Sequence, residues 1–167
     1  MKTHQTNELL NHAAMRGNIK EVKRLLPLSD PTYNRSSALN AAATFGHTKC
    51  VELLIPVSQP EKSYALYWAA YYGHTDIVAM LIPVSDPHHK QSMALQSAAK
   101  NGHKECVDLL YPVSDPSAAI QALQTEYPDD PQKWQILEEL EAERFNGVLH
   151  QEIGGAAPVK TQPPRKM

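Results

Sequence analysis

The chain has 167 residues, 42% of them apolar, and a formal net charge of -2. That length suits one domain with a sizeable core, and the slight negative charge removes the basic field on which binding to phosphate backbones depends, so nucleic acid is not the expected partner. No apolar run approaches the ~18 residues needed to cross a bilayer, the opening residues lack the apolar stretch of a secretory signal, and two cysteines are too few for a disulfide framework; a cytoplasmic chain without membrane contact is expected.

The first element to repeat begins at about residue 7. Leu10, the pair Ala13/Ala14, Gly17-Asn18, Val22, Leu25 and Pro27 mark it out, and the same types return at the same places in later units. The glycines stand at Gly17, Gly46, Gly73 and Gly102, so the spacing is 29, 27 and 29 residues, and the prolines at Pro27, Pro56, Pro83 and Pro112 keep the same intervals. Four units follow, at about 7–35, 36–62, 63–91 and 92–116.

Each unit reads as two short helices joined by a tight turn. In the second unit Ser36 or Ser37 is suited to cap the first helix, and Gly46 suits the left-handed position that ends it. A second helix from about Thr48 to Ile55 carries Val51, Leu54 and Ile55 on one face until Pro56 stops it. In the first unit Asn18 and Glu21 have the spacing of a capping box. Glu21 and Arg24 fall where later units have Cys50, Ile77 or Cys106 and Leu53, Met80 or Leu109, as a water-facing first unit requires. The alanine pairs allow neighbouring first helices to approach closely, and no unit buries its apolar face alone.

After the fourth unit, Ser117 to Gln124 has the pattern of a further first helix. A last helix is predicted with Asp130 as N-cap, Pro131 at its first position, Trp134, Leu137, Leu140, Phe145 and Val148 on one side, and Asn146-Gly147 as a stop. Residues 117–150 therefore form a C-terminal cap, completing a domain over 1–150. The segment 151–167, rich in glycine and proline, is expected to be disordered.

The stretch Ala-Leu-x-x-Ala-Ala-x-x-Gly-His-x-x-x-Val-x-Leu-Leu/Ile resembles the centre of the ankyrin repeat over about residues 7 to 116. The resemblance implies an all-α solenoid of about four helix-turn-helix repeats with capping helices. It departs from the family pattern of 33 residues: the units are shorter, proline replaces the last turn of the second helix, and the Gly-Ala-Asp that opens the family's finger is missing, which implies loops in place of fingers. The Pro-Val-Ser-Asp-Pro form is similar to a short-repeat branch of bacterial proteins, so delivery of an effector into a host cell is one role it is compatible with.

The histidines His47, His74 and His103 share one repeat position. In the family that histidine hydrogen-bonds within the turn, and equivalent atoms in successive units lie about 10 Å apart, too far to share a zinc ion. His88-His89 beside Lys90 reads as a solvated loop tip. Cys50 and Cys106 also share a position two units apart, which buries both and keeps them beyond disulfide reach. No phosphate loop, nucleophile elbow or paired metal-ligand motif is present, so neither a cofactor nor a metal is expected and the chain does not read as an enzyme. Glu138, Glu139, Glu141 and Glu143 suit the wet face of a helix. The competing class is an enzyme or enzyme subunit with acid or base groups among Glu138, Glu139 and His150.

In the resembled family the two residues after the alanine pair face the concave surface and contact partners. Here they include Arg16, Phe45, Tyr71, Tyr72, Lys100 and Asn101, which makes these the expected partner-binding residues of a protein-binding scaffold, an adaptor, inhibitor or effector that is monomeric before it binds. Exposed aromatics beside cations are favoured at protein interfaces; packing between units is the other role open to Phe45, Tyr71 and Tyr72. Trp68 reads as core, and Tyr67 as either core or surface.

Overall fold

The computed structural model describes residues 4–154, with side chains through residue 145. Ten α-helices and no strand occur among the described residues. The first helices of successive units are α1 (His4–Met15), α3 (Tyr33–Thr44), α5 (Ala65–Tyr72) and α7 (His89–Lys100), with α9 (Pro116–Glu126) in fifth place. Each packs on the next to form one layer. The second helices α2 (Ile19–Leu25), α4 (Thr48–Leu54), α6 (Thr75–Leu81) and α8 (Lys104–Leu110) form the other layer. This is the all-α repeat architecture that the spacing and the resemblance lead one to expect.

The anchor residues fill the space between the layers. Leu39, Val51, Leu54, Val78, Leu81, Leu95, Val107 and Leu110 are all fully buried, as are the alanine pairs Ala42/Ala43 and Ala69/Ala70. Pro56 and its equivalents do not end the second helices abruptly. Proline has no amide hydrogen to give, and the chain tightens around it into a 3-10 turn at Ile55–Val57, Ile82–Val84 and Tyr111–Val113.

Two fasteners recur between units. The first is the Gly-His turn. His47 Nε2 hydrogen-bonds Met15 O at 2.9 Å, His74 Nε2 bonds Thr44 O at 3.1 Å, and His103 Nε2 bonds Tyr71 O at 2.9 Å. The histidine therefore reaches the preceding unit rather than staying within its own turn, because its ring lies flat over the glycine one unit back and that glycine's neighbours present the free carbonyl. The second fastener runs from a buried polar side chain near the start of a first helix to the backbone of the following connector. Asn7 Oδ1 accepts from Asp30 N at 2.8 Å, Ser36 Oγ from Gln59 N at 3.0 Å and Ser92 Oγ from Asp115 N at 2.9 Å. Ser36 is thus spent on the next unit and caps nothing in its own helix, contrary to expectation.

The two-residue difference between the long and short units is taken up by backbone of unusual hand. Asn34, Arg35 and Ser36 have φ of 49°, 55° and 57°, and Lys90, Gln91 and Ser92 have 48°, 59° and 61°. Each trio makes a single left-handed turn before the right-handed helix begins, a conformation that costs a side-chain-bearing residue about 1 kcal/mol or more. Each turn is braced by an amide on the helix it precedes: Asn40 Nδ2 donates to Arg35 O at 3.0 Å, and Gln96 Nε2 to Gln91 O at 2.7 Å. The helix that follows the shorter connector, α5, has Tyr67 at the bracing position, and no such turn precedes it.

Asn18 caps α2 by accepting from Glu21 N at 3.1 Å, whereas the Glu21 carboxylate turns to Arg24 instead of closing the capping box. At the other end, Asp115 caps α9 by accepting from Ala118 N. The final helix, α10 (Gln135–Gly154), starts later than expected, after a 3-10 turn at Pro131–Lys133, and Asp130 makes no side-chain cap. It continues through Asn146-Gly147 to Gly154, since neither residue stops a helix whose backbone bonds are already in place. Trp134 and Leu137 are buried and seal the array, but Phe145 is 67% exposed, at the rim of an open cleft with Tyr111 and Pro116 that nothing in the described chain fills. Val148 lies outside the described side chains; of the segment 151–167 expected to be disordered, residues 151–154 belong to α10 and the rest lies outside the described residues.

Cys50 and Cys106 are free and buried in the core, and burial pushes both thiols above their ordinary range. A bulky thiol reagent is therefore expected to label neither in the native protein and both once it is unfolded. Rapid labelling of the native protein would contradict their placement.

The glycines offer a sharper check. Gly73 has φ +74°, and a Cβ there would lie 2.6 Å from the His103 ring, whereas Gly102 has the same φ with nothing within 4 Å. Gly102→Ala should cost about 1 kcal/mol for the left-handed backbone alone. Gly73→Ala should cost about 2 to 3 kcal/mol, because it also unseats the histidine and its hydrogen bond. Chemical denaturation of the two variants measures the difference, and equal losses would mean that the ring contributes nothing.

Candidate protein-binding face

The first helices present a stripe of half-exposed residues at the spacing i, i+3, i+7, which places them on one side of each helix. They are Ser37, Asn40 and Thr44 on α3, Tyr67 and Tyr71 on α5 with Tyr64 just before it, and Met93, Gln96 and Lys100 on α7. Between α5, α7 and α9 the stripe is hollowed into a cleft of about 670 Å³. Tyr67 stands on one wall, Met93, Gln96 and Lys100 run along the middle, and Gln121 and Thr125 form the opposite wall. The lining combines the amides of Gln91, Gln96 and Gln121 with the ammonium groups of Lys90 and Lys100, the Glu126 carboxylate and the apolar Met93, Ala118 and Ala122, a surface that offers both apolar contact and hydrogen bonds.

Of the six expected partner-binding residues, Tyr71 and Lys100 lie on this stripe. Arg16, Phe45, Tyr72 and Asn101 form a neighbouring row, each one residue before a turn glycine and each exposed, with Phe45 at 52% and Tyr72 at 48%. Tyr71 and Tyr72 meet edge to face with ring centroids 4.9 Å apart, but Phe45 enters no ring pair among the described residues, so the three do not form one cluster. Lys100 places its ammonium 5.7 Å from the ring centre of Tyr127, and Asn101 donates to Ser97 O.

The aromatic surface is larger than the sequence suggests. Trp68, expected in the core, is half-exposed and joins Tyr67 at 4.9 Å, Tyr71 at 5.9 Å and Tyr72 at 6.3 Å between centroids. The reason is the size of its equivalents: Ala41 and Ser97 occupy that repeat position in the neighbouring helices and are buried. The first helices are spaced for a methyl or a hydroxymethyl group, and an indole goes outward. Four rings, Tyr67, Trp68, Tyr71 and Tyr72, thus run along α5, and Tyr67 among them is a wall of the cleft.

Three further residues are missed by sequence reasoning. Arg35 and Lys90, each on a left-handed turn, both donate to Tyr64 Oη, at 2.9 Å and 3.3 Å. The hydrogen bond from Lys90 and the two positive charges hold the Tyr64 phenol below its ordinary range. The signal was the extra two residues in the first and third connectors, but nothing in their composition tells where those residues fold.

No group of three or more His, Cys, Asp or Glu that could hold a metal occurs among the described residues. Glu138 and Glu139 are exposed and accept from the amides of Gln124 and Gln135 respectively, each carboxylate with its own partner; the side chain of His150 lies outside those described. No helix is long and apolar enough to cross a membrane among the described residues.

Residues 56–122 match the model of the family of ankyrin repeats as three copies. No curated protein matches the chain. Ankyrin repeats are in general protein-protein interaction modules. Over residues 56–122, from the proline turn of the second unit into α9, the chain is similar to ankyrin repeats.

Proposed function

We propose that the chain is a scaffold that binds a partner protein on the outward face of its first helices and acts by holding or masking that partner, as an adaptor, inhibitor or effector. One observation carries this reading: four half-exposed or exposed rings run along α5, and one of them, Tyr67, forms a wall of a cleft of about 670 Å³ whose lining mixes amides, a hydroxyl and charged groups with apolar side chains. Large rings bury much area on binding while losing little side-chain entropy, and polar groups around them fix orientation. Arg16, Phe45, Tyr71, Tyr72, Lys100 and Asn101 contribute the contacts, with Tyr67 and Trp68 added. The chain acts as a monomer in the cytoplasm until it meets its partner, with no role for nucleic acid, and no chemistry is assigned to it.

Tyr72 is the expected anchor, because it ends the ring run and stands half in water. Capturing the partner from a lysate with the wild-type chain, and then measuring its affinity for purified variants, separates binding from folding. Tyr72→Ala should cost binding about 1 to 3 kcal/mol while leaving the melting temperature close to that of the wild type. Leu81→Ala removes a fully buried side chain and should cost stability about 2 to 5 kcal/mol. If Tyr72→Ala melts as early as Leu81→Ala and its folded fraction binds normally, the binding face lies elsewhere.

A further inference from the structure

Arg35, Tyr64 and Lys90 come from three successive first helices or the turns that open them, and they meet in a hollow that adjoins the cleft through Lys90, which lines both. The guanidinium carbon of Arg35 lies 5.6 Å and the Lys90 ammonium 5.2 Å from the Tyr64 ring centre, in addition to their hydrogen bonds to its oxygen. Two cations therefore converge on one neutral acceptor. The ion pairs among the described residues are elsewhere, Arg24 with Glu21 and Lys133 with Asp130, so neither Arg35 nor Lys90 has a carboxylate within ion-pair reach. The hollow they share, about 510 Å³, is also lined by Lys62 and His89, with Glu61 as its one carboxylate.

That arrangement is costly for the chain alone. Like charges gathered on a phenol repel each other, and both cations are held on left-handed residues that carry backbone strain, a feature that collects where a site binds something. A doubly charged group with several acceptor oxygens reverses the balance. A phosphomonoester carries close to two negative charges and three strong acceptors, which match a guanidinium, an ammonium and a phenol hydroxyl free to donate once the cations turn to the new oxygens. A single carboxylate supplies half the charge.

The source of the phosphate follows from what adjoins the site. Lys90 also lines the 670 Å³ cleft, which lies between α5, α7 and α9. A walled cleft of that size takes several residues of extended chain, whereas a flat bilayer does not enter it. We propose that Arg35, Tyr64 and Lys90 form a receptor for a phosphorylated side chain, borne by a segment of the partner protein that runs on into the cleft along α7. The partner's being a protein rests on the scaffold reading above; the anion site stands on its own geometry.

The probe is a capped pentapeptide with phosphoserine between alanines, titrated into the isotope-labelled full chain, with serine and glutamate versions as controls. Saturable shifts are expected at residues 35, 64 and 90, with the phosphoserine peptide bound at least about tenfold tighter than the glutamate peptide. The double variant Arg35→Gln with Lys90→Gln should lose this binding while keeping the wild-type circular dichroism. Tyr64→Phe, which keeps the ring and removes the hydroxyl, should weaken it severalfold, and it carries the test should the double variant lose helicity. Equal binding of the glutamate peptide, shifts confined to other residues, or binding that survives in these variants would overturn the proposal. So would vesicles of phosphatidylcholine doped with a phosphoinositide that bind the wild type and not the double variant while the peptide binds neither. The titration requires no partner, so its failure leaves capture through Tyr72 standing, and failure of the Tyr72 test leaves the phosphate site standing.

Discussion

A histidine ring resting on a glycine is the contact on which the geometry of the stack depends. It sets the distance between units, because the glycine must lack a side chain for the ring to lie over it. It sets the rotation as well, because the ring nitrogen must at the same time reach a carbonyl of the preceding turn. With distance and rotation fixed at the turn edge, the first helices are held at a separation that alanine and serine fill, and the leucines and valines between the layers find complementary positions. The protruding aromatics of α5 are a by-product: a layer spaced for small residues leaves no room for an indole, so Trp68 is displayed. The binding face is thus shaped by what the interior refuses.

The connectors solve a different problem. A solenoid needs each unit to start where the last ended, and units of unequal length must still deliver their helices in register. The two longer connectors absorb their extra residues in one turn of reversed hand, held by an amide from the helix and by a buried serine bound to the next connector. Length variation is thereby moved out of the helices and onto the edge of the first-helix layer, where Arg35 and Lys90 are carried. The core repeats with period; the edge does not.

This division explains how much could be read in advance. The repeat, its helix pairs, the buried cysteines and leucines and the capping role of α9 follow from residues that recur at fixed places, such as Leu39, Leu66 and Leu95, because each has the same neighbours in every unit. What escaped notice occurs once, or depends on a neighbouring unit. Trp68 was misplaced because its environment is set by Ala41 and Ser97, residues far away in the chain. The histidine's acceptor was placed in its own turn because its true partner is a backbone atom about thirty residues earlier, and backbone atoms leave no mark in a sequence. The continuation of α10 past Asn146-Gly147 reflects the weakness of a local stop against a helix already formed.

The two ends of the array differ in a way that bears on its history. Asn18 stands where later units have histidine, and its side chain caps α2 instead of reaching another unit. Gly102 keeps the left-handed backbone of its counterparts although no ring covers it. The glycine of each unit is thus prepared for a successor whether or not one comes, so the number of units is set by the helix that closes the series and not by the fit between members. Such a chain lengthens or shortens by whole modules inserted ahead of α9, each bringing its own fastener, while the surface it displays grows by one helix at a time.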